Sequence, residues 1–506
     1  MILIYPPVAK PCEPPAGVAK LSGALSRCGI KHKVIDANIE GLLSLLQQPQ
    51  VRFDTWTNRA SRNLEKNLAA LRDRTIYSNV ARYKRAVMDI NRVLEKSTRD
   101  SSTAVSLANY RDNNLSPLRS RDLLRSAEYP ERSPFYTYFE RRLSSVIERE
   151  QPSTVGISIN FLSQALCAFA MIGFLKKRYP DITIVLGGGL VTSWVRGPKW
   201  HNHFRGLVDR FVAGPGEYEL PALLGSKDMG KEHVAPRYDQ LPLAEYVAPG
   251  LILPYSGSSG CYWNKCSFCP ERAEGNPYIP VADDMAAEDL RILARLTRPA
   301  LIHILDNSMR TGLMRALMHN PSGVPWYGFA RIGRDLTDDD FCMALKRSGC
   351  VMLKLGLESG DQGVLDHMHK GIDLETASRA LRALKRAGIA TYVYLLFGTP
   401  PETEASARMT LEFTARHSDA ISFLNLAIFN MPLYGPEAEQ FGTGSFYEGD
   451  LSLYTDFRHP KGWNRKQVRL FLENDFKRHP AIAPIMQQEP PFFTSNHAPL
   501  FSMEQR

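Results

Sequence analysis

Between residues 251 and 432 a short apolar run is followed by a helix-forming stretch, again and again. The runs Leu251–Leu253, Leu301–Leu305, Trp326–Ala330, Val351–Leu357, Tyr392–Phe397 and Ser422–Phe429 read as strands. Helices are predicted between them over Met285–Leu296, Met309–Met318, Asp338–Arg347, Leu374–Ala387 and Ala405–Arg416. Thr337 and Asp373 stand where N-caps belong, and Gly349 and Gly388 stand just past helix ends, where a left-handed residue closes the last turn. Six such units suit a partial (β/α)6 barrel, open on one side. Functional groups of a barrel of this kind gather at the C-terminal ends of its strands.

The first 225 residues follow the same alternation with one interruption. Ile2–Ile4, Lys33–Asp36, Val155–Ile159, Ile182–Leu186 and Leu207–Ala213 read as strands, and Gly17–Cys28 and Leu162–Arg178 as helices. Five strands with crossover helices predict a doubly wound parallel sheet. The strands end in small or turn residues: Pro6-Pro7, Ser158, Gly187-Gly188-Gly189 and Gly214-Pro215-Gly216-Glu217. Such an edge lets a flat ligand lie against backbone. Residues 52–150 break the pattern. Val80, Tyr83, Val87, Ile90 and Leu94 recur at helical spacing, whereas Ser101–Ser133 is polar and aperiodic; we read a helical insertion with a loop. Residues 226–250, punctuated by Pro236, Pro242 and Pro249, read as a linker. Residues 433–506 form a C-terminal extension, with a helix over Trp463–Lys477 and a proline-aromatic tail from Pro490 to His497.

Three of the eight cysteines, Cys261, Cys266 and Cys269, fall in the glycine- and serine-rich stretch Ser256–Pro270. This loop follows the first barrel strand and so lies on the functional rim. Thiolates at this spacing can point at one centre, and no fourth ligand is evident beside them. A closed structural zinc site takes four ligands. An iron-sulfur cluster with one iron left for substrate fits the three better.

Cys-x-Phe-Cys after a strand, preceded by Gly-Cys, resembles the signature of the radical S-adenosylmethionine enzymes. The resemblance implies that Cys261, Cys266 and Cys269 hold a 4Fe-4S cluster whose remaining iron chelates S-adenosylmethionine. It also implies reductive cleavage of that compound to a 5′-deoxyadenosyl radical, and an electron donor such as flavodoxin or ferredoxin. The first gap departs from the commonest family spacing by one extra residue. Further S-adenosylmethionine contacts are implied at Phe268, beside adenine; at Gly356, Glu358 and Ser359 in Leu355–Gly360, followed by Lys370-Gly371-Ile372; and at Gly398 in Leu396–Thr403. Asn307 transfers by position only, and Arg331 ends a strand where it would meet a carboxylate. Residues 1–225 resemble the cobalamin-binding domain fused to many such enzymes. That resemblance implies cobalamin contacts at Pro7, Ser158, Gly187, Gly188, Gly189, Gly214 and Glu217. The Asp-x-His-x-x-Gly mark of that domain is absent; His203-Phe204-Arg205-Gly206 keeps only its tail. The implied activity is methyl transfer to an unactivated carbon.

Composition sets the remaining bounds. Apolar residues make up 44% and charged residues 23% of 506, ordinary for a globular protein. No apolar run approaches the ~20 residues that span a bilayer. Clustered and scattered thiols, too sparse for a disulfide framework, suit a reducing cytoplasm. Cys12, Cys28, Cys167, Cys342 and Cys350 read as small buried hydrophobes, Cys12 least so because its loop faces the ligand edge. His303, His367 and His369 read as satisfied polar residues. The net charge of +9 lies partly in Arg52–Arg149 and reads as a solvated helical face. Two alternatives stand beside methyl transfer: a radical enzyme whose front domain is empty or used otherwise, and a metal-stabilised nucleic-acid-binding module. The substrate is not readable from any motif.

Overall fold

The computed structural model describes residues 1–48, 54–98, 102–198, 200–226, 233–435, 437–444 and 449–504. Parts of the predicted linker (227–232) and the first residues of the insertion lie outside them. The chain divides into two compact units, Met1–Leu251 with Glu448–Leu453, and Ile252–Tyr447 with Tyr454–Arg506.

The first unit is built on a five-stranded parallel sheet: β1 (Ile2–Tyr5), β2 (Lys33–Asp36), β3 (Thr154–Ser158), β4 (Thr183–Gly187) and β5 (Arg210–Phe211). Their order is β2-β1-β3-β4-β5. The order reverses between β1 and β3, and at such a switch point the loops diverge and leave a crevice. β1 is buried along its whole length, as a strand covered by helices on both faces must be. β5 is shorter than predicted because Gly206, at φ +83°, turns the chain late.

The insertion follows its pattern in one part and departs from it in another. Val80–Ser97 is a helix that buries Tyr83, Val87, Ile90 and Leu94 and is capped by Asn79. The stretch read as loop contains a hairpin, Thr103–Val105 paired with Tyr110–Asp112, and a helix, Ser120–Glu128. Strands of three residues are too short to display a period of two, so nothing in the sequence announced them. The helix packs on Leu162–Arg178 so closely that a Cβ on Gly173 would lie 1.9 Å from the Ala127 carbonyl oxygen.

The second unit carries a six-stranded parallel sheet in sequential order: β6 (Ile252–Tyr255), β7 (Leu301–Met309), β8 (Trp326–Ala330), β9 (Cys350–Glu358), β10 (Ala390–Phe397) and β11 (Phe423–Ile428). The neighbouring strands are all parallel. β7 runs past its predicted end, so Asp306, Asn307 and Ser308 belong to the strand. Asp373 caps its helix through the Thr376 N–H. The cap predicted at Thr337 belongs to Asp338, whose carboxylate accepts from Asp340 and Phe341; Thr337 instead closes a 3-10 turn. Gly349 and Gly388 have φ of +103° and +68° and end their helices as predicted.

The C-terminal helix begins later than Trp463. Asn464 and Gln467 form a reciprocal cap, so regular turns start at Arg465 and continue through a wider turn over Leu472–Phe476. Trp463 is left outside the helix and buried. The proline-aromatic tail leads into a helix over Thr494–Glu504 that packs on β9 and β10. No helix among the described residues is long and apolar enough to cross a membrane.

Candidate functional site

The cysteine loop leaves the C-terminal end of β6 and is fastened at its root. Asp306, buried at the end of β7, accepts hydrogen bonds from the Gly257 N–H (2.6 Å), the Ser258 N–H (3.2 Å) and the Ser258 hydroxyl (2.8 Å). Burial holds its carboxyl above the usual range against these three donors. Ser258–Ser259 then pairs with Ile279–Pro280, and Gly260 turns at φ +74°, where a Cβ would meet the Pro277 carbonyl oxygen at 2.4 Å. The predicted strand stopped just before Asp306, and nothing in the sequence marked this residue as an anchor.

Cys261, Cys266 and Cys269 are free thiols, each half-buried. They lie close enough that Cys266 and Cys261 both raise the Cys269 thiol, which burial pushes up to about 11. Lys370 and Arg331 pull the Cys266 thiol the other way, although burial dominates. Among the described residues no group of three or more His, Cys, Asp or Glu side chains is placed to hold a metal ion.

Opposite the loop, β9 ends in a bulge with Glu358 at φ +70°. Its carboxylate meets the Lys370 ammonium at 2.8 Å, both side chains being largely buried. Gly356 makes room for this pair: a Cβ there would lie 2.6 Å from Glu358 Oε1 and 2.9 Å from Lys370 Nζ. Ser359 is turned away, its hydroxyl meeting Thr410 Oγ1 at 3.2 Å and accepting from the Asp361 N–H at 3.1 Å. Phe268 packs against Val364, Leu365 and Met368, with the Lys370 ammonium 5.5 Å from its ring centroid. Asn307 is exposed and donates to the Gly260 carbonyl at 3.2 Å. Arg331 donates to the Lys370 and Gly371 carbonyls; its guanidinium is engaged by protein and half-buried.

Gly398, at φ +78°, ends β10. Its N–H donates to Glu402, a carboxyl fully buried and pushed up to about 8 by that burial. The same carboxyl accepts from Trp463 Nε1 at 2.9 Å, and His459 Nε2 lies 2.9 Å from the Thr399 carbonyl oxygen. Sequence reasoning named the segment and missed this node, because Trp463 and His459 lie some sixty residues away.

In the first unit, Ser158, Gly187, Gly188 and Gly214 sit half-buried at the strand ends, with Gly189 exposed. Gly188 is required by the chain itself: at φ +104° a Cβ would lie 2.4 Å from the Ile159 carbonyl oxygen. Gly189 has only Asn160 Oδ1 within 4 Å of its would-be Cβ, at 3.6 Å, so open space lies above it. Pro7 is buried, and its neighbour's carbonyl, Pro6 O, accepts from Gln164 Nε2 at 2.7 Å. Glu217 is paired with Lys20 at 3.0 Å. The edge thus brings Ser158, the glycines and Asn160 together and leaves Pro7 beneath. His203 lies elsewhere, 3.6 Å from Asp450. Cys12 is fully buried.

Comparison with known proteins follows this geometry. The profile of the Radical SAM superfamily matches residues 255–414. An uncharacterized methyltransferase of Pyrococcus horikoshii, PH0819, is 24% identical over 314 residues, covering 54% of this chain and 66% of that protein. The chain thus spans just under two thirds of that relative. Two solved structures share the fold. The radical S-adenosylmethionine methyltransferase TsrM from Kitasatospora setae, with cobalamin and a [4Fe-4S] cluster bound, has a TM-score of 0.54 and 15% identity, over 97% of this chain and 91% of that one. The cobalamin-dependent S-adenosylmethionine radical enzyme OxsB, with aqua-cobalamin and S-adenosylmethionine bound, has a TM-score of 0.57 and 12% identity, over 99% of this chain and 71% of that one.

Proposed function

We propose, from the premise that residues 255–414 of this chain are a radical S-adenosylmethionine domain, that the protein is a cobalamin-dependent methyltransferase acting on an unactivated carbon. The observation that carries this reading is the set of three free, half-buried thiols on the loop that follows β6, at the rim of a parallel sheet. Such donors suit a multi-iron cluster with one iron left for substrate. Three thiols fall one short of the four ligands of the closed zinc site that the nucleic-acid-binding alternative would need.

Cys261, Cys266 and Cys269 would hold the cluster, on a loop that Asp306 pins at its root. When bound, the cluster supplies the electron that cleaves S-adenosylmethionine, and cobalamin supplies the methyl group. Glu358 offers a carboxylate to the ribose hydroxyls or the amino group of that ligand, oriented by Lys370. Gly398 would lie beside the base, although its N–H is spent on Glu402 and Val468 stands 3.3 Å from where a Cβ would be. Phe268 packs its ring on Val364, Leu365 and Met368 and so ties the cysteine loop to the helix after β9. Arg331 is held at loop 369–371 by one terminal nitrogen, which donates to the Lys370 and Gly371 carbonyls. In the first unit Ser158, Asn160, Gly189 and Gly214 would line the cobalamin edge. The strand-end loops 6–15, 159–161, 187–189 and 212–217 contain no histidine, so they offer cobalt no imidazole. An external one-electron donor, such as flavodoxin or ferredoxin, completes the requirement.

Anaerobic reconstitution tests the reading. The wild-type protein is expected to take up iron and sulfide, to release 5′-deoxyadenosine with a reductant, and to retain cobalamin by its visible absorbance. Cys266→Ala is expected to abolish 5′-deoxyadenosine release. Undiminished release from that variant refutes the ligand assignment, and wild-type protein that never retains cobalamin refutes the methyl-transfer reading.

A further inference from the structure

The additional residue in the first cysteine gap has a use. The tetrad between Cys261 and Cys266 is Tyr262-Trp263-Asn264-Lys265. Trp263 does not point into a core; it lies over the loop 369–371, which follows the first helix after β9. Its Nε1–H donates to the His369 carbonyl at 3.1 Å. The Arg331 guanidinium stacks 3.7 Å from the indole centroid, and the Lys265 ammonium lies 4.9 Å from it. Gly371, at φ +61°, is where the indole rests: a Cβ there would be 2.4 Å from Trp263 Cζ2. Arg331, stacked on Trp263, donates in turn to the Lys370 and Gly371 carbonyls. Lys370 is the partner of Glu358.

These contacts form one chain from the cysteine loop to the carboxylate: Trp263, the 369–371 backbone with Arg331, Lys370, Glu358. We infer that Trp263 is a positioning residue, a strut that turns the long Cys261–Cys266 gap into a clamp on loop 369–371 and so fixes Glu358 for S-adenosylmethionine. The inference rests on the proposed function for the ligand, but the clamp itself is independent of any cofactor. A cation stacked on an indole and partly desolvated is worth about a factor of ten in an equilibrium. Trp263 is the only residue that contacts both the His369 carbonyl and Arg331 among the described contacts.

Two measurements test it on the full chain. The first is amide hydrogen exchange of the cluster-free protein, which reads local opening. In Trp263→Ala, residues 368–372 are expected to exchange about tenfold faster while β7 and β10 are unchanged; in Trp263→Phe, which keeps the stack, the rise is smaller. Gly371→Ala, which drives the indole off its seat, is expected to reproduce the Trp263→Ala pattern and to add little in the double variant. Unchanged exchange at 368–372 in Trp263→Ala overturns the clamp. The second is S-adenosylmethionine titration of the reduced, reconstituted protein, followed by the change in its electron paramagnetic resonance spectrum. Trp263→Ala is expected to bind about tenfold more weakly with its iron content unchanged. Faster exchange with undiminished affinity overturns the positioning role. A wild-type protein that binds no iron defeats the proposed function while leaving the exchange result to stand or fall alone.

Discussion

Gly356 lacks a side chain because two others fill its space. The Glu358–Lys370 pair passes within 3 Å of where its Cβ would be, and neither partner can retreat into solvent, since each side chain is only about a tenth exposed. Gly356→Ala is therefore expected to separate the pair and weaken S-adenosylmethionine binding at least tenfold, with folding retained by circular dichroism. Normal affinity would show that the carboxylate does not serve the ligand. Asp306 acts on the other side of the loop. Its two oxygens accept three hydrogen bonds from Gly257 and Ser258, and an amide can accept on one oxygen only. Asp306→Asn is expected to cost on the order of 1–3 kcal/mol in urea unfolding and to lower the iron taken up on reconstitution. Full iron loading in that variant would mean that the loop is held by other means.

At the scale of elements, the turn after β10 and the segment around Trp463 are joined by one buried carboxyl. Glu402 is pushed from the ordinary 4.5 up to about 8, by burial first, with the Gly398 and Trp463 donors opposing. The folded chain therefore holds a proton there that the unfolded chain has lost. The stability this contributes is fully present below the ordinary value and is lost as pH rises through about 8. Glu402→Gln keeps an acceptor for Gly398 and Trp463 and cannot ionise. Its stability relative to wild type is expected to grow between pH 5 and 8 by on the order of 4 kcal/mol, read by urea unfolding at fixed temperature. A difference that stays flat with pH would place the carboxyl in a wetter setting. This node also marks the limit of what the sequence discloses. Strand and helix order in both units was legible, because apolar runs and helical spacing are local signals, and so was the loop bearing Cys261, Cys266 and Cys269. Whatever depends on contacts between distant segments was not: the Trp463–Glu402 bond, the Trp263–Gly371 seat and the turning away of Ser359. The cap at Thr337 failed for a subtler reason, since Asp338 next to it is an equally good cap and the chain can start a helix at only one of them.

The whole molecule is two compact units, each with its own parallel sheet. If cobalamin belongs to one and S-adenosylmethionine with its cluster to the other, each ligand must stabilise its own unit by mass action, by about 2.7 kcal/mol at a hundredfold excess over its dissociation constant. Hydrogen exchange on the full chain separates the two. Added hydroxocobalamin is expected to slow exchange at residues 158–161, 187–192 and 212–217, where Ser158, Gly189 and Gly214 lie. S-adenosylmethionine added to the reconstituted protein is expected to slow residues 256–270, 356–371 and 396–402, around the cysteines, Glu358 and Gly398. The pattern discriminates sharply, because the glycines at the first edge have two explanations. Gly188 is required by its own backbone, 2.4 Å from the Ile159 carbonyl oxygen, and would be glycine in an empty domain as well. Gly189 has no such constraint, and an exposed glycine costs conformational entropy that only close approach by something else makes useful. Protection at Gly189 and Asn160 on adding hydroxocobalamin would supply that something. Exchange there that ignores hydroxocobalamin at saturating concentration would leave Gly189 to the turn alone and reduce the first unit to a domain without the cofactor.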